Sequence, residues 1–90
     1  MKGARSIILH KHFEKRYAKL PEKLKKAFKV RKDLFLENPD DPRLAIHALH
    51  GAYKGYESFN VTGDVRVVFK ELQKTAFIFA DIGTHDELYS

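Results

Sequence analysis

Residue types that acid–base and phosphate chemistry uses recur in the second half of the chain. His47 lies near its middle, Asp64 and Arg66 lie in GDVRVVF, and the closing segment DIGTHDELYS carries His85 and, four residues later, Tyr89. Histidine has an ordinary pKa of about 6.5 and serves as general acid or general base near neutral pH. Arginine supplies a permanent cation for a phosphate group. Singly, each residue also fits a structural role, such as an exposed histidine, a turn aspartate or a solvent-facing strand arginine.

The segment around His47 predicts a short helix. Asp41-Pro42 is typical of a helix cap followed by a proline in the first turn, and Gly51 is typical of a helix end. A rotation of about 100° per residue places His47 and His50 on the side away from the core. The opposite, buried side of these one or two turns is predicted to hold Leu44, Ala45, Ala48 and Leu49.

Extended segments follow this helix and are predicted to position the other candidate residues. The three runs are residues 56–61, 65–71 and 76–82, and they are separated by TGD and LQKT. They predict an antiparallel meander. The third run, AFIFADI, is nearly apolar on both faces and is predicted to lie centrally in the sheet, with His85 at the sheet's end.

The first half of the chain predicts a strand and a helical hairpin. Ser6 to Leu9 favour a first strand, and Phe13, Tyr17 and Leu20 recur at helical spacing. A second helix is predicted to begin at Pro21 and to end at Asn38-Pro39. Its apolar stripe contains Leu24, Ala27, Phe28, Leu34 and Phe35. The predicted fold is α+β, with the hairpin packed on an antiparallel sheet of three to five strands.

Charge is distributed unevenly along the chain. Residues 1–32 contain 12 Lys or Arg and two acidic residues, whereas residues 33–90 contain five Lys or Arg and ten acidic residues. Such a basic half attracts polyanions such as nucleic acid, although a solvated lysine-rich helix face is the alternative interpretation. Ninety residues predict a single domain, 1–90. The lack of cysteine and of a long apolar segment predicts a cytoplasmic protein without a membrane span.

After the basic helical hairpin, the chain carries the motifs LHG with GY, GDVRVVFK and DIGTHDELY. This order of motifs resembles the RelE/ParE superfamily of bacterial toxins. Within that superfamily, it resembles the YafQ branch of messenger-RNA endonucleases. The resemblance implies a microbial-ribonuclease type of fold and a toxin of a type II toxin–antitoxin system. It implies metal-independent RNA cleavage without a cofactor, leaving a 2′,3′-cyclic or 3′-phosphate. Residues that match the site of the branch are His47, Asp64, His85 and Tyr89.

Several positions refine this resemblance. Arg66 matches an arginine of other RelE-like toxins, whereas Asn60 stands where the branch has a histidine and Val65 where it has a tryptophan. The implied partners are messenger RNA, the ribosome with its ribosomal RNA, and a cognate antitoxin encoded nearby. The protein is expected to be a monomer alone and a hetero-oligomer with the antitoxin. Residues expected to bind RNA are Lys25, Lys29, Lys32, Lys54, His50 and Asn60.

Three alternatives remain from the sequence. The first is a ParE-type toxin of the same superfamily, which acts on DNA gyrase. In such a toxin, His47, Asp64 and His85 would have no catalytic role. A binding module for RNA or antitoxin without activity is the second alternative, because Asn60 replaces a histidine. A metal hydrolase is the third, because His47, His50, Asp64 and His85 are possible metal ligands, although no HExxH motif is present.

Overall fold

A five-stranded sheet forms the centre of the protein in the computed structural model, which describes residues 5–89. Residues 1–4 and 90 of the predicted domain lie outside the described residues. The strands are β1 (Ser6–Leu9), β2 (His47–Ala48), β3 (Glu57–Asn60), β4 (Val65–Gln73) and β5 (Ala76–Thr84). Their order across the sheet is β1-β5-β4-β3-β2. Strands β3 to β5 form the predicted antiparallel meander, and β2, whose residues were predicted to be helical, pairs antiparallel with β3. Strand β1 runs parallel to β5, so the sheet is mixed.

The helices are α1 (Lys11–Ala18), α2 (Glu22–Glu37) and α3 (His85–Tyr89). The side chain of His10 caps α1 by accepting a hydrogen bond from the His12 backbone N–H at 3.0 Å. Pro21 is the residue just before α2 and has an extended backbone. Proline lacks a backbone N–H, but at this position that N–H would have no partner within the helix, so its loss costs little stability. The helical hairpin is therefore confirmed, with α2 ending just before Asn38-Pro39.

The core between the hairpin and the sheet is aromatic. All seven phenylalanines of the chain are buried there, and Phe35 of α2 is at its centre, with ring centroids 4.9 to 5.1 Å from Phe59, Phe69 and Phe77. Tilted and edge-to-face pairs of this kind add about 0.5–1.5 kcal/mol each beyond the burial of apolar area. The core fixes α1 and α2 on one face of the sheet.

The opposite face of the sheet carries a smaller apolar cluster. Leu49, Val68 of β4 and Leu88 of α3 are buried together, and Tyr53, Tyr56 and Tyr89 pack against them. Strand β5 thus lies inside the sheet, between β1 and β4, with apolar contacts on both faces. This agrees with the prediction from AFIFADI.

The predicted helix through residues 42–51 is wrong beyond its first turn. Asp41 caps a 3-10 helix, Pro42–Leu44, by accepting a hydrogen bond from the Arg43 N–H at 2.9 Å. Ala45 then adopts a left-handed conformation, with φ 49° and ψ 46°, and the chain leaves the helix. The next residues form β2 and a second 3-10 helix, Gly51–Tyr53. Leu44 and Leu49 are buried as predicted, but Ala45 and Ala48 are exposed.

Candidate active site

The register of the sheet brings three of the candidate residues to one face. Arg66 of β4 pairs with Asn60 of β3 on one side and with Gly83 of β5 on the other, and His47 of β2 pairs with Ser58. Paired residues and residues two apart on one strand share a face. His47, Asn60 and Arg66 therefore lie on the face opposite α1 and α2. This surface is called the site face below.

Polar atoms without a partner are concentrated on the site face. Among the described residues, the buried side-chain atoms that lack a hydrogen-bond partner are Asn60 Oδ1, Arg66 Nε and Tyr89 OH. Buried polar groups in folded proteins are nearly always hydrogen-bonded, and leaving one unsatisfied costs about 1–3 kcal/mol. The acceptor of Asn60, the cationic donor of Arg66 and the hydroxyl group of Tyr89 are thus enclosed on this face without a partner.

His47 is held by β2 rather than by the helix that the sequence predicted. Its Nδ1 lies 3.0 Å from the Ala45 carbonyl oxygen, which can only accept, so Nδ1–H is the donor. The neutral ring then keeps its lone pair at Nε2, which lies 3.5 Å from Ser58 Oγ. His47 and His50 are both exposed, as expected, and His50 directly precedes the Gly51–Tyr53 turn.

His85 begins α3 instead of ending β5, and the sequence analysis missed this helix. Thr84 pairs with Val65 as the last residue of β5, and its hydroxyl accepts the Glu87 N–H at 3.2 Å. Glu87 Oε1 in turn accepts the Thr84 N–H at 2.8 Å, which completes a capping box and lowers the pKa of Glu87. The T-x-x-E spacing of THDE was the sequence signal for this helix.

Tyr89 ends α3 and contacts His85 directly. The two ring centroids are 4.7 Å apart in a nearly edge-to-face arrangement, and the Tyr89 ring also packs 6.0 Å from that of Tyr53. His85 is exposed, whereas Tyr89 is half-buried with its hydroxyl oxygen enclosed. His85 is therefore open to solvent, whereas Tyr89 packs against the smaller apolar cluster.

Asp64 lies at the same end of the sheet as His85. It is exposed in the turn between β3 and β4, and its backbone N–H donates to Thr62 Oγ1 at 3.3 Å. Asp64 precedes Val65 and His85 follows Thr84, so the two residues flank the last β4–β5 pair. Within residues 5–89, no hydrogen bond or ion pair links His85 to His47, Asp64 or Arg66.

The predicted RNA-binding residues divide between the two sides of the sheet. Lys25, Lys29 and Lys32 are on α2, behind the aromatic core, where Lys25 Nζ lies 5.7 Å from the Tyr17 ring centroid. Lys29 and Lys32 line a groove of about 380 Å³ beside β1. His50 and Lys54 instead flank the turn that carries Tyr53 to the site face. The α2 lysines thus belong to a second surface, separate from the candidate site.

Ser58 was not singled out from the sequence. It is fully buried and faces His47 across the β2–β3 pair. A serine in the middle of the otherwise apolar and charged run of β3 gave only a weak signal for this contact.

No helix in the described part of the chain has the length and hydropathy of a membrane span. Nor do three or more His, Asp or Glu side chains of residues 5–89 come together in a group that could hold a metal ion.

A mixed five-stranded sheet with a helical hairpin on one face and polar residues on the other is the architecture of the RelE/ParE-like toxins. A YoeB/ParE toxin from Agrobacterium tumefaciens shares this fold with a TM-score of 0.72 at 13% identity, over 89% of this chain and 98% of that chain. The chain belongs to the YafQ family, bacterial toxins of type II toxin–antitoxin systems, whose model matches residues 5–90.

Solved structures of YafQ itself are similar over almost the whole chain. YafQ from E. coli is 26% identical, with a TM-score of 0.77 over 96% of this chain and 99% of that chain. YafQ in the E. coli DinJ–YafQ toxin–antitoxin complex has the same identity, with a TM-score of 0.74 over 96% and 98%. A comparison with the curated proteins gives no match. The prediction of a RelE-like toxin of the YafQ branch is confirmed.

Proposed function

We propose that the protein is a metal-independent endoribonuclease that cleaves messenger RNA on the ribosome and so inhibits translation. The observation that supports this best is the set of unpartnered polar atoms of Asn60, Arg66 and Tyr89 on the site face. They lie between His47 at one edge of this face and His85 at the end of β5. A phosphodiester with its ribose offers acceptors for Arg66 and hydroxyl groups for Asn60.

In the proposed reaction, one histidine removes the proton of the 2′-hydroxyl, and the 2′-oxygen attacks the adjacent phosphorus. The bond to the 5′-oxygen breaks as the new bond forms, and the second histidine protonates the leaving 5′-oxygen. The products are a 2′,3′-cyclic phosphate, which water can open to a 3′-phosphate, and a 5′-hydroxyl. His47 is suited to be the base, because the carbonyl contact at Nδ1 leaves the lone pair at Nε2. His85 is then the acid.

Arg66, Asp64 and Tyr89 complete the proposed site. The Arg66 guanidinium would neutralise the charge that develops on the phosphorane, an effect worth about 10²- to 10³-fold in rate for a single well-placed donor. Asp64, at the same end of the sheet as His85, would orient that histidine. The Tyr89 ring would stack on a base of the substrate.

We further propose that the toxin acts in the cytoplasm and is restrained by a cognate antitoxin. E. coli YafQ has been solved in a DinJ–YafQ toxin–antitoxin complex. The lysine-rich side of α2, away from the site face, is suited to ribosomal RNA or to an acidic segment of an antitoxin. The reading frame next to this one should encode a small acidic or DNA-binding protein.

The test is cleavage of a defined message on programmed ribosomes, with the chemical ends of the fragments mapped. The wild-type protein should produce 5′-hydroxyl ends, and Arg66→Gln should cut at least about 10²-fold more slowly. Lys74→Gln, at the opposite end of the β4–β5 hairpin, removes the same charge and should cut normally. A folded Arg66→Gln protein that cuts at the wild-type rate would overturn the assigned role.

The alternatives give different results in parallel assays. Inhibition of supercoiling by DNA gyrase without cleavage of any message would identify a ParE-type toxin. Binding to ribosomes without either activity would identify a binding module. Cleavage of bare RNA that excess chelator abolishes and zinc or manganese restores would identify a metal hydrolase, whereas the proposed mechanism predicts cleavage that survives the chelator.

A further inference from the structure

Asp81 of β5 is the one charged side chain that is buried among the described residues, with 3% of its surface exposed. Val68 pairs with Asp81 but the next residue of β4, Phe69, pairs with Phe79, so Ala80 is an extra residue in a bulge. Bulges redirect side chains, and this one lies where β1 has ended and α1 begins. The carboxyl group of Asp81 is thereby placed between α1 and the site face.

Four groups contact this carboxyl group. His12 Nε2 and Tyr53 OH each lie 3.2 Å from Oδ2, while Arg16 Nε lies 3.3 Å and the Ile82 backbone N–H 2.8 Å from Oδ1. Burial and then the neighbouring Asp81 raise the pKa of Tyr53, so its hydroxyl group stays protonated and donates. Asp81 thus has partners from α1 and from the turn before β3.

Arg16 extends these contacts to α3. Its Nη1 lies 3.7 Å from Glu87 Oε2, while the other oxygen of Glu87 accepts the Thr84 N–H in the capping box. One guanidinium group therefore joins the bulge of β5 to the first turn of α3. The Arg16–Asp81 contact is the less screened of the two, because Asp81 is buried, whereas the Glu87 side chain is 54% exposed and solvent screens its contact with Arg16 more strongly.

Gly83 provides the space for this arrangement. A Cβ atom at this position would lie 3.0 Å from Glu87 Oε1 and 3.1 Å from Arg16 Nη1, which is tighter than most contacts, so both side chains would have to shift slightly. The glycine of DIGTH thus lets Arg16 and Glu87 approach the backbone closely.

We infer that Arg16 is a positioning residue that sets the orientation of α3, and with it His85 and Tyr89; the inference rests on the proposed function of that site. A helix of five residues is not stable alone. Leu88 and Tyr89 attach it to the smaller apolar cluster around Leu49 and Val68. The Arg16–Glu87 contact lies on a different side of the helix and adds a second point of attachment, which limits rotation of α3.

Removing the Arg16–Glu87 contact should lower the rate of cleavage rather than weaken substrate binding. Reacting groups must be held close to a productive geometry, and a displacement of about 1 Å can cost about 10²-fold. Arg16→Gln should therefore lower kcat for cleavage on the ribosome by about 10- to 100-fold and change KM by less than about threefold. Arg16→Lys keeps the charge and should recover part of the rate, because one ammonium group cannot reach both carboxylates.

A second readout does not depend on cleavage. The Tyr89 ring lies 4.7 Å from the His85 ring, so the ring-proton NMR signals of His85 report on the geometry of α3. Arg16→Gln and Glu87→Gln should both shift these signals, while Glu87→Gln keeps an acceptor for the capping box. The double variant should shift them no further than Arg16→Gln alone, because that variant has already lost the contact with Glu87. Lys15→Gln, the neighbouring charge on α1, should leave them and the cleavage rate unchanged.

The results separate the positioning role from its alternatives. Unchanged His85 signals in a folded Arg16→Gln protein would overturn the inference. A rise in KM alone would show direct contact between Arg16 and RNA instead, and would also overturn it. If the wild-type protein cut no RNA, the proposed function would fail, but the NMR comparison would still decide whether Arg16 orients α3.

Discussion

Replacing His85 by alanine should separate activity from stability. The side chain is 58% exposed, and its main contact is the Tyr89 ring at 4.7 Å. Aromatic pairs are worth about 0.5–1.5 kcal/mol, and an exposed pair belongs at the low end of this range. A decrease of about 0.5 kcal/mol in the free energy of unfolding lowers Tm by roughly 2–4 °C in a domain of this size. Loss of a general acid, in contrast, costs about 10²- to 10⁴-fold in rate.

The assay pairs growth after induction with measurements on purified protein. His85→Ala should permit growth, unfold within a few degrees of the wild-type protein and leave a reporter message uncut on ribosomes. Lys74→Ala, in the turn of the same β4–β5 hairpin, should still arrest growth and cut at the same positions. A folded His85→Ala protein that arrests growth and still cuts would refute the assignment of His85 as the acid. Arrest without cleavage by either protein would indicate a gyrase toxin.

Three further predictions follow from the two sides of the sheet. Tyr89→Phe should keep the fold and unfold at or slightly above the wild-type temperature, because the Tyr89 hydroxyl has no internal partner, and a clear fall in Tm would contradict this. Reversing Lys25, Lys29 and Lys32 to Glu should leave folding intact and make ribosome binding less dependent on salt. The slope of log affinity against log salt concentration should become shallower by about 0.7–0.9 for each phosphate that these lysines neutralise in the wild-type protein. Unchanged affinity for the ribosome at low salt would exclude these lysines as a ribosome-binding surface. The capping box holds the pKa of Glu87 below its ordinary 4.5, so its stabilisation is present above that pH and disappears as pH falls through the lowered value. The Tm difference between the wild-type protein and Glu87→Gln should therefore shrink on acidification, and a constant difference from about pH 7 to about pH 3 would contradict this.

Long periodic segments were predictable from the sequence, and short or non-local features were not. The apolar stripe of α2 and the runs of β4 and β5 predicted their elements directly, because each pattern extends over nine or more residues. Strand β2 has two residues and follows an alanine in a left-handed conformation, which sequence preferences disfavour. Helix α3 is too short for a periodic signal, and the parallel pairing of β1 with β5 joins residues about 70 positions apart.

The candidate site was predictable by residue type but not by its geometry. His47, Asp64, Arg66 and His85 stood out because their side chains suit the chemistry. The placement of Asp81 beside Arg16 depends on a bulge in β5 and on the end of β1, and neither feature leaves a local pattern. The division of the predicted RNA-binding residues between two sides of the sheet also required the pairing of the strands, since the sequence alone does not show which face of the sheet α2 covers.

His47 lies on the two-residue edge strand β2 and His85 begins the five-residue helix α3, whereas Arg66 and Asn60 lie on strands with a neighbour on each side. Regions with few buried contacts open locally at a free energy well below that of global unfolding. Backbone amides of residues 47–48 and 85–89 should therefore exchange with solvent much faster than those of β4 and β5. As temperature rises, the geometry around the histidines should be lost while the aromatic core is still intact, so we expect heat to abolish the proposed activity below the Tm of the fold.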